Sequence, residues 1–331
     1  MGKTEKNVCS ITVSAVICLA AVLLSLCIGV VIFSPAQIFR FLIHKGEINE
    51  NIFWLARVPR TFACLFAGAA LSVSGAVLQN VLSNKLASPG IIGVNAGAGL
   101  GVAIACAFGA LSGWTISASA FVGSLLAVLA ISLFANKTGA SRTTVILAGV
   151  ALNSILNAST EALTVLVPDV AALNLDFRVG GFSAVSYSRL IPACIMILIA
   201  FIMLMTLCNE LDLITLGDDT ARGLGLAVGK YRILFLILSA LLAGAAVSFS
   251  GLLGFVGLIV PHFIRRLSGS ESHILLPLCA LLGGAFVVAA DLAARQLFSP
   301  FQLPVGIIMA VIGAPLFIFA LVRTKGGHGN D

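Results

Sequence analysis

Apolar residues in this chain form long blocks, and charged residues stand at the block edges. Uncharged runs cover 7–39, 61–84, 86–136, 143–160, 190–209, 233–264, 272–290 and 296–322. Each reaches roughly the 18 residues at which an apolar stretch can cross a bilayer. Lipid offers the backbone no hydrogen-bond partners, so these runs predict helices rather than open strands. The 51-residue run 86–136 must hold two helices with a turn near Leu111-Ser112-Gly113, and the run 233–264 divides at Ser250-Gly251. Ten spanning helices follow, over about 10–33, 60–82, 90–109, 114–136, 143–165, 189–208, 231–250, 252–266, 274–295 and 304–323. The eighth is short enough to be partly re-entrant. The polar stretch 167–188 reads as a surface excursion with room for a small helix.

Composition agrees with an all-α polytopic membrane protein. Of 331 residues, 60% are hydrophobic and 10% charged, against about 25% charged in a soluble domain. The net charge of +6 fits lysine and arginine retained in cytoplasmic loops better than it fits nucleic-acid binding. With the N-terminus inside, twelve basic residues are cytoplasmic (Lys3, Lys6, Lys85, Lys137, Arg142, Arg222, Lys230, Arg232, Arg265, Arg266, Arg323, Lys325). Seven are external (Arg40, Lys45, Arg57, Arg60, Arg178, Arg189, Arg295). The balance predicts N-in, C-in. Lys3 and Lys6 before an apolar run to Phe33 imitate a signal peptide, but the run is too long for an h-region and no A-x-A site follows it, so it reads as an uncleaved first span.

The eight cysteines show no CxxC spacing and read as small apolar packing residues. His44, His262, His273 and His328 make no H-E-x-x-H pair, and no G-x-S-x-G occurs. "GLGLAVGK" at 223–230 resembles a phosphate loop only superficially, because Tyr231 stands where a hydroxyl should bind magnesium. Neither a catalytic residue nor a metal site is expected. Gly93, Gly97 and Gly101 have the small-xxx-small spacing that lets helices approach closely in lipid.

Intramembrane polar residues are the strongest functional candidates. Asn153, Asn157 and Glu161 follow one another at i, i+4, i+8 on one predicted helix face. Such a stripe faces either an aqueous pathway or another helix. Asp291 and Arg295, also at i, i+4, can pair with each other. The loop "NELDLITLGDDTARGLG" (209–225) predicts a short helix from Gly217, with Asp218 and Asp219 in its first turn and Gly223 and Gly225 ending it. It serves equally as a plain connector or as a knob for a soluble partner. In "GLLGFVGLIVPHFIRRL" (251–267), Arg265 and Arg266 are expected to anchor a close-packed helix at the inner surface.

Five blocks, in order and at matching spacing, resemble the permease subunits of ABC importers for iron-siderophores, haem and cobalamin (type II importers). They are "ARVPRTFACLFAGAALSVSGAVLQNVLSNKLASPGIIGVNAGAGLG" (56–101), "ILAGVALN" (146–153), "LGDDTARGLGL" (216–226), "GLLGFVGLIVPHFIRRL" (251–267) and "LPVGIIMAVIGAPLFIFALV" (303–322). The resemblance implies a single transmembrane permease domain over 1–331, with a coupling segment at about 209–230 and extracytoplasmic segments at about 35–58 and 167–188. It implies a bacterial cytoplasmic-membrane protein that dimerises with a second copy or a paralogue. Two cytoplasmic ABC ATPases and an extracytoplasmic binding protein complete the assembly. ATP and Mg are used by those partners, and no cofactor is bound by this chain. The cargo implied is an iron chelate, siderophore ahead of haem or cobalamin, moved by alternating access.

By the same resemblance Gly217, Asp218, Asp219, Ala221, Arg222, Leu224 and Gly225 form a coupling helix, which turns the loop into a knob. Arg57, Arg60 and Arg295 match positions that dock the binding protein. Ser141 and Thr143 fall in the region of the inner gate, with Asn153, Asn157 and Glu161 along the pathway. The chain departs from the family at Asn84-Lys85-Leu86-Ala87-Ser88-Pro89-Gly90, where N-P-L-A-[DE]-P-G is usual, and at Gln302, where an acid is usual. The rival class is an ion-gradient-driven secondary transporter of a small polar solute. It calls for acids at mid-membrane, and Glu161, near a helix end, is the one candidate.

Overall fold

The computed structural model describes residues 3–29, 31–43, 50–110, 112–138, 141–297 and 301–325. His44, Lys45, Leu111 and His328, and the side chains of Lys3, Lys6, Arg323 and Lys325, lie outside the described residues. Within them the chain is all helical. The elements are α1 (Lys3–Cys27), α2 (Pro35–Ile43), α3 (Glu50–Ile52), a π-helical turn (Phe53–Arg57), α4 (Val58–Val81), α5 (Val94–Ala107), α6 (Gly113–Thr138), α7 (Arg142–Leu166) and α8 (Pro168–Val179). There follow α9 (Tyr187–Thr206), α10 (Cys208–Thr215), α11 (Asp218–Gly223), α12 (Val228–Ser250), α13 (Val256–Ser268), α14 (Ser272–Gln296) and α15 (Val305–Lys325).

Seven described helices are long and apolar enough to cross a membrane: those ending at Cys27, Val81, Thr138, Leu166, Thr206, Ser250 and Gln296. Val94–Ala107 and Val305–Phe319 are shorter apolar helices. The tenth predicted element, α13, has 13 residues, or about 20 Å of rise, against about 30 Å of hydrocarbon.

Three departures from the expected helices have local causes. The first predicted helix ends at Cys27 rather than near residue 33, and the outer segment after it folds back as α2. There Phe33, Phe41 and Phe53 form a separate aromatic cluster, with Phe33 edge-on to Phe41 at 5.4 Å. Glu50–Arg57, expected as loop, is helical and runs into α4, so that one 32-residue element spans Glu50–Val81. The third departure is Gly251–Phe255, which is not helical, so α13 begins at Val256 instead of 252. Gly251 ends α12 at φ 66, and Phe255 precedes α13 at φ 67, a conformation uncommon for a residue with a side chain.

Irregular backbone at membrane depth needs partners from protein, and this break has them. Leu252 N donates to Phe177 O (3.0 Å), Gly181 N to Ser250 O (2.8 Å), and Gly306 N to Gly180 O (3.3 Å). The break is thereby joined to the end of α8 and the start of α15.

The core is centred on α4 and α12, each buried along most of its length. Close approach between helices rests on glycine. A Cβ on Gly97 would stand 2.4 Å from the Gly123 carbonyl oxygen on α6, so the glycine spacing read from the sequence marks a real helix contact. α7 contrasts with this core: of its described residues only Val145, Gly149 and Thr160 are buried.

Candidate functional site

The contacts gather the charged residues at two ends of the bundle. At one end lies the coupling segment. Gly217 (φ 104) precedes α11, and Gly225 (φ 86) closes it, as the sequence predicts. Ala221 is fully buried, whereas Leu216 (58% exposed) and Leu224 (61%) flank the helix in the open. Asp219 and Arg222 are exposed beside each other, 3.7 Å apart. α11 is therefore a knob with apolar shoulders and a charged crest.

Asp218 faces inward. Its Oδ1 accepts from Arg142 Nη2 (2.5 Å) and Nε (3.1 Å), and its Oδ2 accepts from Arg232 Nη2 (2.5 Å). Partial burial alone would raise the Asp218 pKa. The hydrogen bonds from Arg232 and Arg142 and their charges outweigh it, holding the carboxyl below its ordinary 3.8. A depressed carboxyl contributes its stabilisation above the ordinary value and loses it only as pH falls further, so the clamp is intact at neutral pH. Next to it α10 is tied to α14, because Asp212 accepts from Ser272 N (3.1 Å) and Ser272 Oγ (2.5 Å).

Arg265 corrects the surface-anchor expectation. It donates to Asn80 Oδ1 (3.0 Å), to Ala76 O (3.2 Å) and to Gln79 Oε1, so it binds α13 to α4 instead of reaching the inner surface. Arg266 is exposed. His262 is buried, beside Phe263.

The predicted pathway residues share one cavity. Asn153, Asn157 and Glu161 line a space of about 340 Å³ together with Asn95, Thr160 and Arg178. Asn153 Nδ2 donates to Gly90 O (2.8 Å) and Ile91 O (3.0 Å), which fastens α7 to the chain before α5. Asn157 and Glu161 are exposed. Sequence reasoning missed Asn95 and Arg178, which reach the cavity from α5 and α8 and leave no periodic signal of their own. At the other end of α7, Ser141 caps the helix by accepting from Thr144 N (3.2 Å), and Thr143 is exposed.

The three outer arginines are held inside the chain, which corrects the docking expectation. Arg57 is 6% exposed. It donates to Leu26 O (2.9 Å), Cys27 O (3.1 Å) and Val31 O and lies 4.2 Å from the Phe33 ring centroid. Arg295, also 6% exposed, pairs with Asp291 (3.0 Å) and donates to Ser25 Oγ (2.8 Å). Arg60 pairs with Asp291 (2.9 Å) and donates to Gln302 Oε1 (2.8 Å). A guanidinium committed to buried acceptors cannot meet a partner's carboxylate without giving them up. The departure at Gln302 has a structural reading: its neutral amide still receives Arg60.

Among the described residues, no group of three or more His, Cys, Asp or Glu could hold a metal ion. A helical membrane chain with a polar cavity beside a weakly covered spanning helix, and an exposed short helix at one end, defines a transport subunit rather than an enzyme. The chain belongs to the FecCD transport family, whose model matches residues 17–323, and it is a type II ABC importer permease, a multi-pass protein of the cytoplasmic membrane. It is 34% identical over 312 residues to the vitamin B12 import system permease protein BtuC of Klebsiella pneumoniae, covering 93% of this chain and 92% of that one. It is 35% identical over 305 residues to the uncharacterized ABC transporter permease protein YvrB of Bacillus subtilis, covering 88% and 86%. Among solved structures it resembles an inward-facing metal-chelate type ABC transporter, with TM-score 0.86, 28% identity and 95% and 98% of the two chains covered. The PsaBC complex of Streptococcus pneumoniae, at 19% identity and TM-score 0.53, shares the fold over 86% and 95% of the chains. Family membership sets aside the gradient-driven alternative.

Proposed function

We propose that this chain forms half of the pathway of an ATP-driven importer for a large metal-centred chelate, a corrinoid ahead of a siderophore or haem. The observation that carries the reading is the cavity on α7, where Asn157 and Glu161 stand on a helix that the rest of the chain leaves largely uncovered. Polar groups in a span call for water or protein, and a second copy or a paralogue set against α7 supplies both by closing a shared channel. Vitamin B12 import, named for several relatives, favours the corrinoid over the siderophore that the sequence motifs put first.

The chain carries no phosphate-loop motif, so energy enters through partner ATPases that receive the knob of α11. Leu216 and Leu224 offer them apolar contact, and Asp219 and Arg222 set orientation. An external binding protein delivers the chelate, and the pathway opens to one side at a time. Reconstitution with the ATPase and binding protein encoded beside it should give ATP-dependent uptake of cyanocobalamin. Uptake without the ATPase that follows a proton or sodium gradient would overturn the reading. Asn157→Leu with Glu161→Leu is expected to slow uptake roughly ten-fold, the effect of about 1.4 kcal/mol, while the complex still assembles. Unchanged uptake would remove these two residues from the pathway.

A further inference from the structure

The start of α7 is fastened to the coupling segment through a single side chain. Arg142, the first residue of α7, gives Nη2 to Ile214 O at the end of α10 (2.9 Å) and to Asp218 Oδ1 (2.5 Å), and Nη1 to Ser83 Oγ in the turn after α4. Asp218 is held from its other oxygen by Arg232 on α12. The two sides of this carboxylate are unequal. Arg232 is 8% exposed and belongs to a helix buried along most of its length, whereas α7 buries only three of its described residues. A displacement applied at α11 therefore meets a fixed helix through Arg232 and a weakly held one through Arg142. Between the two, α7 is the element that can yield, and it carries Asn157 and Glu161 further along.

We infer that Arg142 is a positioning residue for transport, linking the coupling segment to the pathway helix so that movement of α11 is carried to α7. The inference rests on the reading that α11 receives the ATPase. Bidentate, charge-assisted geometry suits this task, because the planar fork fixes direction as well as distance. Lysine keeps the charge but not the fork. Ser141 and Thr143 flank Arg142, so the expected gate region moves with it.

The test uses the assembled importer in proteoliposomes, with cyanocobalamin as the transported probe. Arg142→Ala is expected to leave ATP hydrolysis running while cyanocobalamin taken up per ATP falls roughly ten-fold, within the usual range of coupling between sites. Arg142→Lys should recover part of the loss. A proportional fall in hydrolysis and uptake, or unchanged uptake, would overturn the linkage. If Arg142→Ala does not assemble, Asp218→Asn, which keeps the shape and removes the shared charge, should give the same split. Spin labels at Thr143→Cys and Lys230→Cys read the motion itself. Mg-ATP with vanadate should change their separation in the unaltered importer and leave it unchanged with Arg142→Ala. An equal change in both would refute the proposal. The label measurement needs no substrate, so a failure of cyanocobalamin uptake by the unaltered importer would count against the corrinoid reading alone.

Discussion

Asp291→Asn is expected to destabilise the permease by about 3–5 kcal/mol, the usual cost of removing one partner from a buried ion pair. Asp291 is 1% exposed and serves two guanidiniums, Arg60 Nη2 at 2.9 Å and Arg295 Nε at 3.0 Å. Neutralising it leaves two cations facing each other with half of their acceptor gone. Ser25 Oγ and Gln302 Oε1 hold the outer sides of the pair, but neither carries charge. Thermal unfolding of the detergent-solubilised chain measures the effect, and an unchanged midpoint would mean that the cluster is solvated. Asp219→Asn is the control. Its side chain is fully exposed and 3.7 Å from Arg222, so the same chemical change there should leave the midpoint where it was.

Gly75→Val should be comparably damaging for a steric reason. A Cβ at Gly75 would lie 2.0 Å from the Gly257 carbonyl oxygen and 2.5 Å from the Gly257 Cα, so α4 and α13 must part. They resist parting, because Gln79 Nε2 donates to that same carbonyl (3.0 Å) and Arg265 ties α13 to Ala76 and Asn80. Overpacking typically costs about 1–3 kcal/mol and occasionally more. This site belongs at the upper end, since the obstacle is backbone on both sides. Gly229→Ala should show the opposite sign. Nothing lies within 4 Å of its added Cβ, and alanine in a helix interior gains about 0.5–1 kcal/mol over glycine. A melting series across the two variants separates packing from propensity. Equal behaviour would mean that the α4–α13 contact is loose.

Much of the fold was legible because lipid imposes one rule on every span. Uncharged runs bounded by Lys137, Arg142, Arg189 and Arg232 located α6, α7, α9 and α12 to within a few residues. The stripe Asn153-Asn157-Glu161 was legible for the same kind of reason: its spacing is that of a helix turn, and the residues do share a cavity. What escaped depends on segments far apart in the chain. Nothing near Arg57 announces that residues 26–31 will present three carbonyls to it, and nothing near Arg60 announces Asp291 or Gln302. An arginine at a membrane edge looks the same whether it meets water, lipid or a buried acceptor. The apolar run through Gly251–Phe255 reads as helix because apolarity cannot reveal that its amide partners come from α8.

That break has a consequence for how the protein exchanges hydrogen with solvent. The amides of Gly181, Leu252 and Gly306 each donate to a carbonyl of a different segment, outside any regular helix. Deuterium uptake at these three should be as slow as within a spanning helix, although secondary structure alone would class two of them as loop. A labelling map should therefore show a protected island joining three stretches of chain between residues 177 and 306, a feature by which the native fold can be distinguished from a collection of inserted but undocked helices.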